Sequence, residues 1–236
     1  MRLMSLSTVL LALGIAAAHA ADPLGRFPVD PSQVSVSGIS SGAFMANQLH
    51  IAHSADIMGA ALIAGGLYGC AVQDVESNGV LALASQALGP CMKVPFMLED
   101  VGFYKGLVDK LAANHWIDPP SNLANSKVYI FTGKSDNVVA SETVEKAKAV
   151  YDALGVPASN ITFEDRSGPA ADAGHSWVSM NYGGACDANA SPFIDDCRYD
   201  QAGAELKAIY GQGLNPPVSA PTGRIVEFDQ TEFVAG

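Results

Sequence analysis

Gln33-Val34-Ser35-Val36-Ser37-Gly38-Ile39-Ser40-Ser41-Gly42-Ala43 is the stretch on which the fold of this chain turns. Gln33 to Ser37 reads as a short strand, and a helix-like stretch runs from Ala43 to His53. Between them, Gly38-Ile39-Ser40-Ser41-Gly42 matches G-x-S-x-G, the pattern of a sharp strand-to-helix turn that exposes a serine. Two glycines are expected because side chains beside the serine would clash with neighbouring backbone. Such a turn lifts the Ser40 hydroxyl above a sheet edge, at the start of the next helix. Free N–H groups there favour a developing negative charge.

Outward from this turn, strands and helices alternate. Ala60 to Gly65 resembles a buried strand of a parallel sheet. Val80 to Leu88 and Phe103 to Asn114 have helical spacing, and Pro119-Pro120 marks a break. Lys127-Val128-Tyr129-Ile130-Phe131 is β-branched, aromatic and bounded by Gly133, which predicts a strand. Ser141 to Leu154 carries an apolar stripe through Val144, Ala147, Val150, Tyr151 and Leu154, closed by Gly155, and predicts a helix. Asn160 to Glu164 predicts a further strand, Tyr199 to Tyr210 a helix, and Arg224 to Phe228 a last strand. The alternation indicates one α/β domain, a mostly parallel sheet with helices on both faces, over residues 21–236.

A serine hydroxyl is a poor nucleophile at neutral pH, so it needs a base, and the base needs an orienting acid. In α/β-hydrolases these follow in the order Ser, Asp or Glu, His. Asp136 comes just after the strand at 127–131, in Thr132-Gly133-Lys134-Ser135-Asp136, on the sheet edge where the elbow lies. His175 follows the next strand, in Asp172-Ala173-Gly174-His175-Ser176-Trp177. Asp165 and Asp172 are rival acids; His50, His53 and His115 read as surface or packing residues. The expected chemistry is two-step acyl transfer: Ser40 attacks an ester carbonyl, His175 takes its proton, and Asp136 balances the imidazolium. The N–H of Ser41 would meet the oxyanion.

Composition narrows the classes. Met1 to Ala20 has Arg2, an apolar run from Val9 to Ala18 and the small-residue site Ala18-His19-Ala20, the layout of a secretory signal peptide cleaved after Ala20. The run is too short to span a bilayer. A net charge of −11 without a Lys/Arg run argues against nucleic acid or an anionic membrane as partner. An exported chain with four cysteines favours disulfides, and the short local loops favour Cys70–Cys91 and Cys186–Cys197. Neither C-x-x-C nor a paired-His spacing is present, so no metal is expected, and a serine–histidine pair needs no organic cofactor.

The elbow sits unusually early. Only residues 21–39 separate Ser40 from the expected cleavage point, whereas the elbow of an α/β-hydrolase follows several strands. Either the remaining strands come after His175, a circular permutation, or the chain is incomplete. Val36 to Met45, Gly133-Lys134-Ser135-Asp136, Gly174-His175-Ser176-Trp177 and the Cys186 to Cys197 stretch together resemble the secreted poly(3-hydroxybutyrate) depolymerases. The resemblance implies a circularly permuted α/β-hydrolase that cleaves polyester with Ser40, Asp136 and His175. It also implies that Gly223 to Gln230 leads into a further part bearing the last strands and a His-Gly-Cys motif that completes the oxyanion hole. The chain stops at Gly236 without that motif, so half of the oxyanion hole is expected to be absent. One such donor is worth about 10²–10³ in rate. The leading expectation is thus a secreted or periplasmic polyester hydrolase. A general carboxylesterase acting on aromatic or feruloyl-type esters and a non-catalytic remnant are the alternatives.

Overall fold

Val34–Ile39 (β1), Ile57–Ile63 (β2), Lys127–Thr132 (β3) and Ile161–Asp165 (β4) pair in that order as one wholly parallel sheet. The computed structural model describes residues 23–71, 75–218 and 220–234, so the expected leader at 1–20 lies outside the described residues. β2 and β3 are the central strands, covered on both faces, and both are almost wholly buried. That is why they read as unbroken apolar runs rather than alternating ones. β1 and β4 form the edges and are only partly covered.

Among the described residues five helices accompany the sheet: Ser41–Ala52 (α1), Val75–Leu88 (α2), Val101–Ala113 (α3), Ser141–Ala153 (α4) and Gln201–Tyr210 (α5). α1 buries Ala43, Ala46, Asn47, His50 and Ile51, and α4 buries Thr143, Val144, Ala147, Val150 and Tyr151. Both sets recur at three- and four-residue spacing, one stripe of a helix. Asp100 and Asp200 cap α3 and α5 by accepting the N–H groups of Phe103 (2.8 Å) and Gly203 (2.9 Å).

Alternate strand residues serve two cores. Val36, Ala60, Leu62, Val128 and Ile130 pack with α1, α3 and α4 on one face. Ala61, Ile63, Tyr129 and Phe131 pack on the other with Val178, Ile209 and the aromatic residues around α5. Each fully buried Leu, Ile or Phe contributes about 1.5–3 kcal/mol, so the central strands anchor the fold. The crossovers through α1, α3 and α4 share a face and the strands follow in chain order, as connections of one hand require.

Beyond β4 the chain forms a second small sheet that the sequence does not predict. Trp177–Ser179 (β5), Gly184–Ala185 (β6) and Ile194–Asp196 (β7) pair in the order β5-β7-β6. Disulfides join Cys70 to Cys91 and Cys186 to Cys197, the second closing the segment that runs from the end of β6 through β7.

These elements all lie in one unit, Asp30–Pro216; a second, smaller unit takes in the described residues of 1–29 and 217–236. Within the smaller unit Arg224 to Phe228 forms no strand, contrary to the sequence pattern, and Ile225 is 94% exposed. β-propensity acts through pairing and packing, and no described strand pairs with this segment. Its regular structure is a 3₁₀ turn at Gln230–Phe233, where Asp229 accepts the Thr231 N–H and Phe228 meets Phe233 edge-on.

Candidate active site

β1 ends at Ile39, and Ser40 swings the chain into α1 with φ 55° and ψ −123°. A non-glycine residue at such positive φ is strained by about 1–3 kcal/mol and persists only where its surroundings hold it. Here the Ser40 N–H donates to the Ile63 carbonyl at the end of β2 (2.9 Å), and the Phe44 N–H donates to the Ser40 carbonyl (3.0 Å). Gly38 is needed for this turn, because a Cβ there would stand 2.3 Å from the Gly42 carbonyl carbon. Gly42 differs from the sequence expectation. A Cβ at Gly42 meets nothing within 4 Å, so crowding does not explain the second glycine.

Ile39, Ile63, Phe131 and Glu164 stand in register across β1 to β4, so the loops after these strands leave one edge of the sheet. Ser40 and the loop after β3 are two strand spacings apart along that edge, about 10 Å. The loop carries Asp136. It is fastened to the segment before β5 by the Lys134 N–H to the Ala171 carbonyl (2.8 Å) and the Ser135 N–H to the Ala173 carbonyl (3.0 Å). The approach is close enough that a Cβ on Gly133 would sit 2.1 Å from the Ala173 oxygen, which explains the glycine.

Across this junction His175 Nδ1 lies 2.9 Å from Asp136 Oδ2, with side chains only 5% and 1% exposed. The other carboxylate oxygen, Oδ1, accepts the N–H groups of Val138 and Val139, each at 2.9 Å. In this hydrogen bond Nδ1 faces a carboxylate oxygen as donor, which leaves Nε2 with its lone pair. Phe193 stands edge-on to the imidazole at 6.0 Å. The structure therefore joins Asp136 to His175 and puts Ser40 on the same sheet edge; no hydrogen bond links Ser40 to His175 among the described residues. Ser41 is the first residue of α1, where helix N–H groups have no carbonyl partner within the helix.

Ser40 and Ser41 border a cavity of about 510 Å³ walled mainly by Phe44, Met45, Leu67, Leu88 and Met92, with the Cys70–Cys91 bridge alongside. Its lining is overwhelmingly apolar, with Ser40, Ser41 and Gln48 as its polar side chains.

The rival residues stand elsewhere. Asp172 is 80% exposed and pairs with Lys134 at 3.6 Å, while Asp165 accepts from the Ser167 hydroxyl at 2.5 Å on the surface. His53 and His115 are exposed. His50 is a core residue, its Nδ1 2.9 Å from the Tyr151 hydroxyl, and burial lowers its pKa to about 4. Among the described residues, no group of three or more His, Cys, Asp or Glu is placed to hold a metal ion.

Asn189 is the residue that the sequence reading passed over. Its Oδ1 accepts the backbone N–H of His175 (2.9 Å) and of Asn137 (3.1 Å). Its Nδ2 donates to the carbonyls of Ser135 (2.8 Å) and Asp187 (3.2 Å). Two donors face the oxygen and two acceptors the nitrogen, so the network fixes the amide's orientation. The only sequence signal was its place inside the paired-cysteine stretch.

No protein-family model matches the chain. It is 38% identical over 224 residues to the poly(3-hydroxybutyrate) depolymerase of Delftia acidovorans, covering 94% of this chain and 42% of that protein. It is 33% identical over 228 residues to the polyhydroxybutyrate depolymerase of Talaromyces funiculosus, covering 94% of this chain and 60% of that one. The chain thus spans about half the length of the curated relatives it matches. The crystal structure of a PHB depolymerase from Penicillium funiculosum superposes with a TM-score of 0.68 at 29% identity, over 86% of this chain and 57% of that one. A PHB depolymerase with a serine replaced by alanine, solved with an R3HB trimer, superposes equally well at 28% identity. The fold is that of these depolymerases over most of the present chain.

Proposed function

We propose that this chain is a serine ester hydrolase that cleaves poly(3-hydroxybutyrate)-type polyester. The observation that carries the reading is the buried Asp136–His175 hydrogen bond, set on the sheet edge at which Ser40 holds its strained turn. In this mechanism His175 Nε2 accepts the Ser40 proton as the hydroxyl oxygen attacks the ester carbonyl. Asp136, already anchored by two backbone N–H groups, stabilises the imidazolium without taking the proton. The N–H of Ser41 faces the charge that develops on the carbonyl oxygen. His175 then protonates the departing alcohol, and water enters to release the acyl group from Ser40 by the same proton path.

The substrate class rests on the cavity and on the relatives. An apolar hollow of about 510 Å³ beside Ser40 suits a neutral chain of short hydroxyacid units. The solved relative that holds an R3HB trimer shares the fold. Two disulfides fit an oxidising compartment, and export suits an insoluble polymer that cannot enter a cell. The test pairs polymer films with soluble aryl esters and adds a serine-directed phosphonate. Release of 3-hydroxybutyrate oligomers and labelling at Ser40 are expected, with Ser40→Ala lowering turnover about 10⁴-fold or more. Undiminished hydrolysis by Ser40→Ala would end the reading, and turnover of aryl esters alone would restrict it to a general carboxylesterase.

A further inference from the structure

His175 and Asp136 come from loops of different elements, 39 residues apart, which the backbone bonds of Lys134 and Ser135 join but neither disulfide does. An imidazole base works only if its ring keeps one angle to the nucleophile, so something must fix the backbone on each side of the pair. Asn189 does this from a third segment. One side chain engages the backbone of the histidine itself and the two residues flanking the acid, Ser135 and Asn137. Its remaining bond, to the Asp187 carbonyl, ties it to its own loop.

That loop is in turn built against the histidine. The Gly174 N–H donates to the Cys186 carbonyl (2.8 Å), and a Cβ on Gly174 would lie 1.8 Å from the Ala188 oxygen. The Cys186–Cys197 bridge closes the segment, and the Trp177 N–H donates to the Phe193 carbonyl (2.8 Å) at the start of the small sheet. The carrier of Asn189 is therefore pinned at both ends while its amide reaches the site loops.

We propose that Asn189 is the positioning residue of the His175–Asp136 pair, a brace that sets both loops from the Cys186–Cys197 segment. It touches neither substrate nor the moving proton, and it acts by holding two backbones at fixed separation. The role rests on the reading of Ser40, His175 and Asp136 as a hydrolytic site.

The test uses the full chain, p-nitrophenyl butyrate as a soluble probe, and the downfield proton resonance of a histidine Nδ1–H bonded to carboxylate. That signal is assigned by its disappearance in Asp136→Asn. In Asn189→Ala, kcat should fall about 10- to 100-fold with KM held within twofold, and the downfield signal should be lost. Asn189→Asp keeps an oxygen for both N–H groups but turns a carboxylate oxygen toward the Ser135 and Asp187 carbonyls, so the His175 backbone stays held while the Ser135 side is released, and kcat should fall with KM unchanged. Should Asn189→Ala fail to fold, the isosteric Asn189→Asp alone decides, with an expected kcat loss of about 10-fold at unchanged KM. A full-strength signal and wild-type kcat in either folded variant overturn the proposal. The resonance needs no turnover, so failure of the brace is distinguishable from failure of the esterase reading, which Ser40→Ala tests on its own.

Discussion

Asp136 shows how much one side chain is asked to do. Its two oxygens accept three hydrogen bonds, two from backbone at Val138 and Val139 and one from His175. The backbone bonds fix the carboxylate, and the fixed carboxylate selects the tautomer of the imidazole. Asp136→Asn preserves the shape but can present an N–H where the histidine needs an acceptor. Turnover should fall by about 10⁴-fold, by the same tautomer argument that applies to serine triads generally. Tm should move by only a few degrees, and a variant retaining a tenth of wild-type kcat would exclude Asp136 as the orienting acid. The two glycines of the elbow make a second residue-scale contrast. Gly38→Ala forces a Cβ into the backbone of Gly42 and Ala43, so it should lower both stability and Ser40 labelling by phosphonate. Gly42→Ala meets open space on a helix and should change stability by less than about 1 kcal/mol in urea denaturation.

At the scale of elements, long-range closure explains what local pattern missed. β3 and α4 could be read from the chain because their neighbours bury them in a regular way: β3 between two strands, α4 along one stripe. β5, β6 and β7 have two or three residues each, too short for any periodicity. They exist because the Cys186–Cys197 bridge and the closure onto Gly174 bring their edges together. Replacing both cysteines by alanine removes a cross-link over a sequence separation of 11 and should cost about 3 kcal/mol by chain entropy. The same change should lower kcat more than loss of Cys70–Cys91 does, because only the former segment carries Asn189. Equal effects of the two bridges on kcat at a temperature where both variants are folded would contradict this. Arg224 to Phe228 teaches the reverse lesson: its residues favour a strand, and it stays unpaired among the described residues.

For the whole molecule, two buried ionisable groups set opposing dependences of stability on pH. His50 in the fold titrates near about 4, while in the unfolded chain it titrates near 6.5. Between those values the unfolded state binds more protons, so stability falls as pH drops through this window, by up to about 3 kcal/mol. Glu205 on α5 is raised by burial to about 7 from 4.5. There the folded state binds more protons, so stability falls as pH rises from 4.5 through 7, by about 1 kcal/mol after solvent screening. Because the His50 limb is the larger, stability measured by urea denaturation should rise from pH 4 to a maximum at about pH 6.5 and fall slightly above it. His50→Phe should flatten the acid limb and Glu205→Gln the neutral limb; limbs unchanged in both variants would show that other groups govern them.

The amino-acid sequence by itself determined the order of the four strands of the main sheet and of the helices between them, the sharp turn at Ser40, and the order in which Asp136 and His175 follow it. It could do so because buried strands must be apolar, helices must carry a stripe, and a sharp turn must admit glycine at Gly38. Only the tertiary structure decided that Asp136 rather than Asp165 or Asp172 meets His175, that His50 is core, and that Asn189 ties the two loops together. Those outcomes depend on which backbone segments end within hydrogen-bonding distance of one another. That distance is set by the register of the sheet, which is not written in the neighbourhood of the residues concerned, and by where the Cys186–Cys197 loop closes onto Gly174.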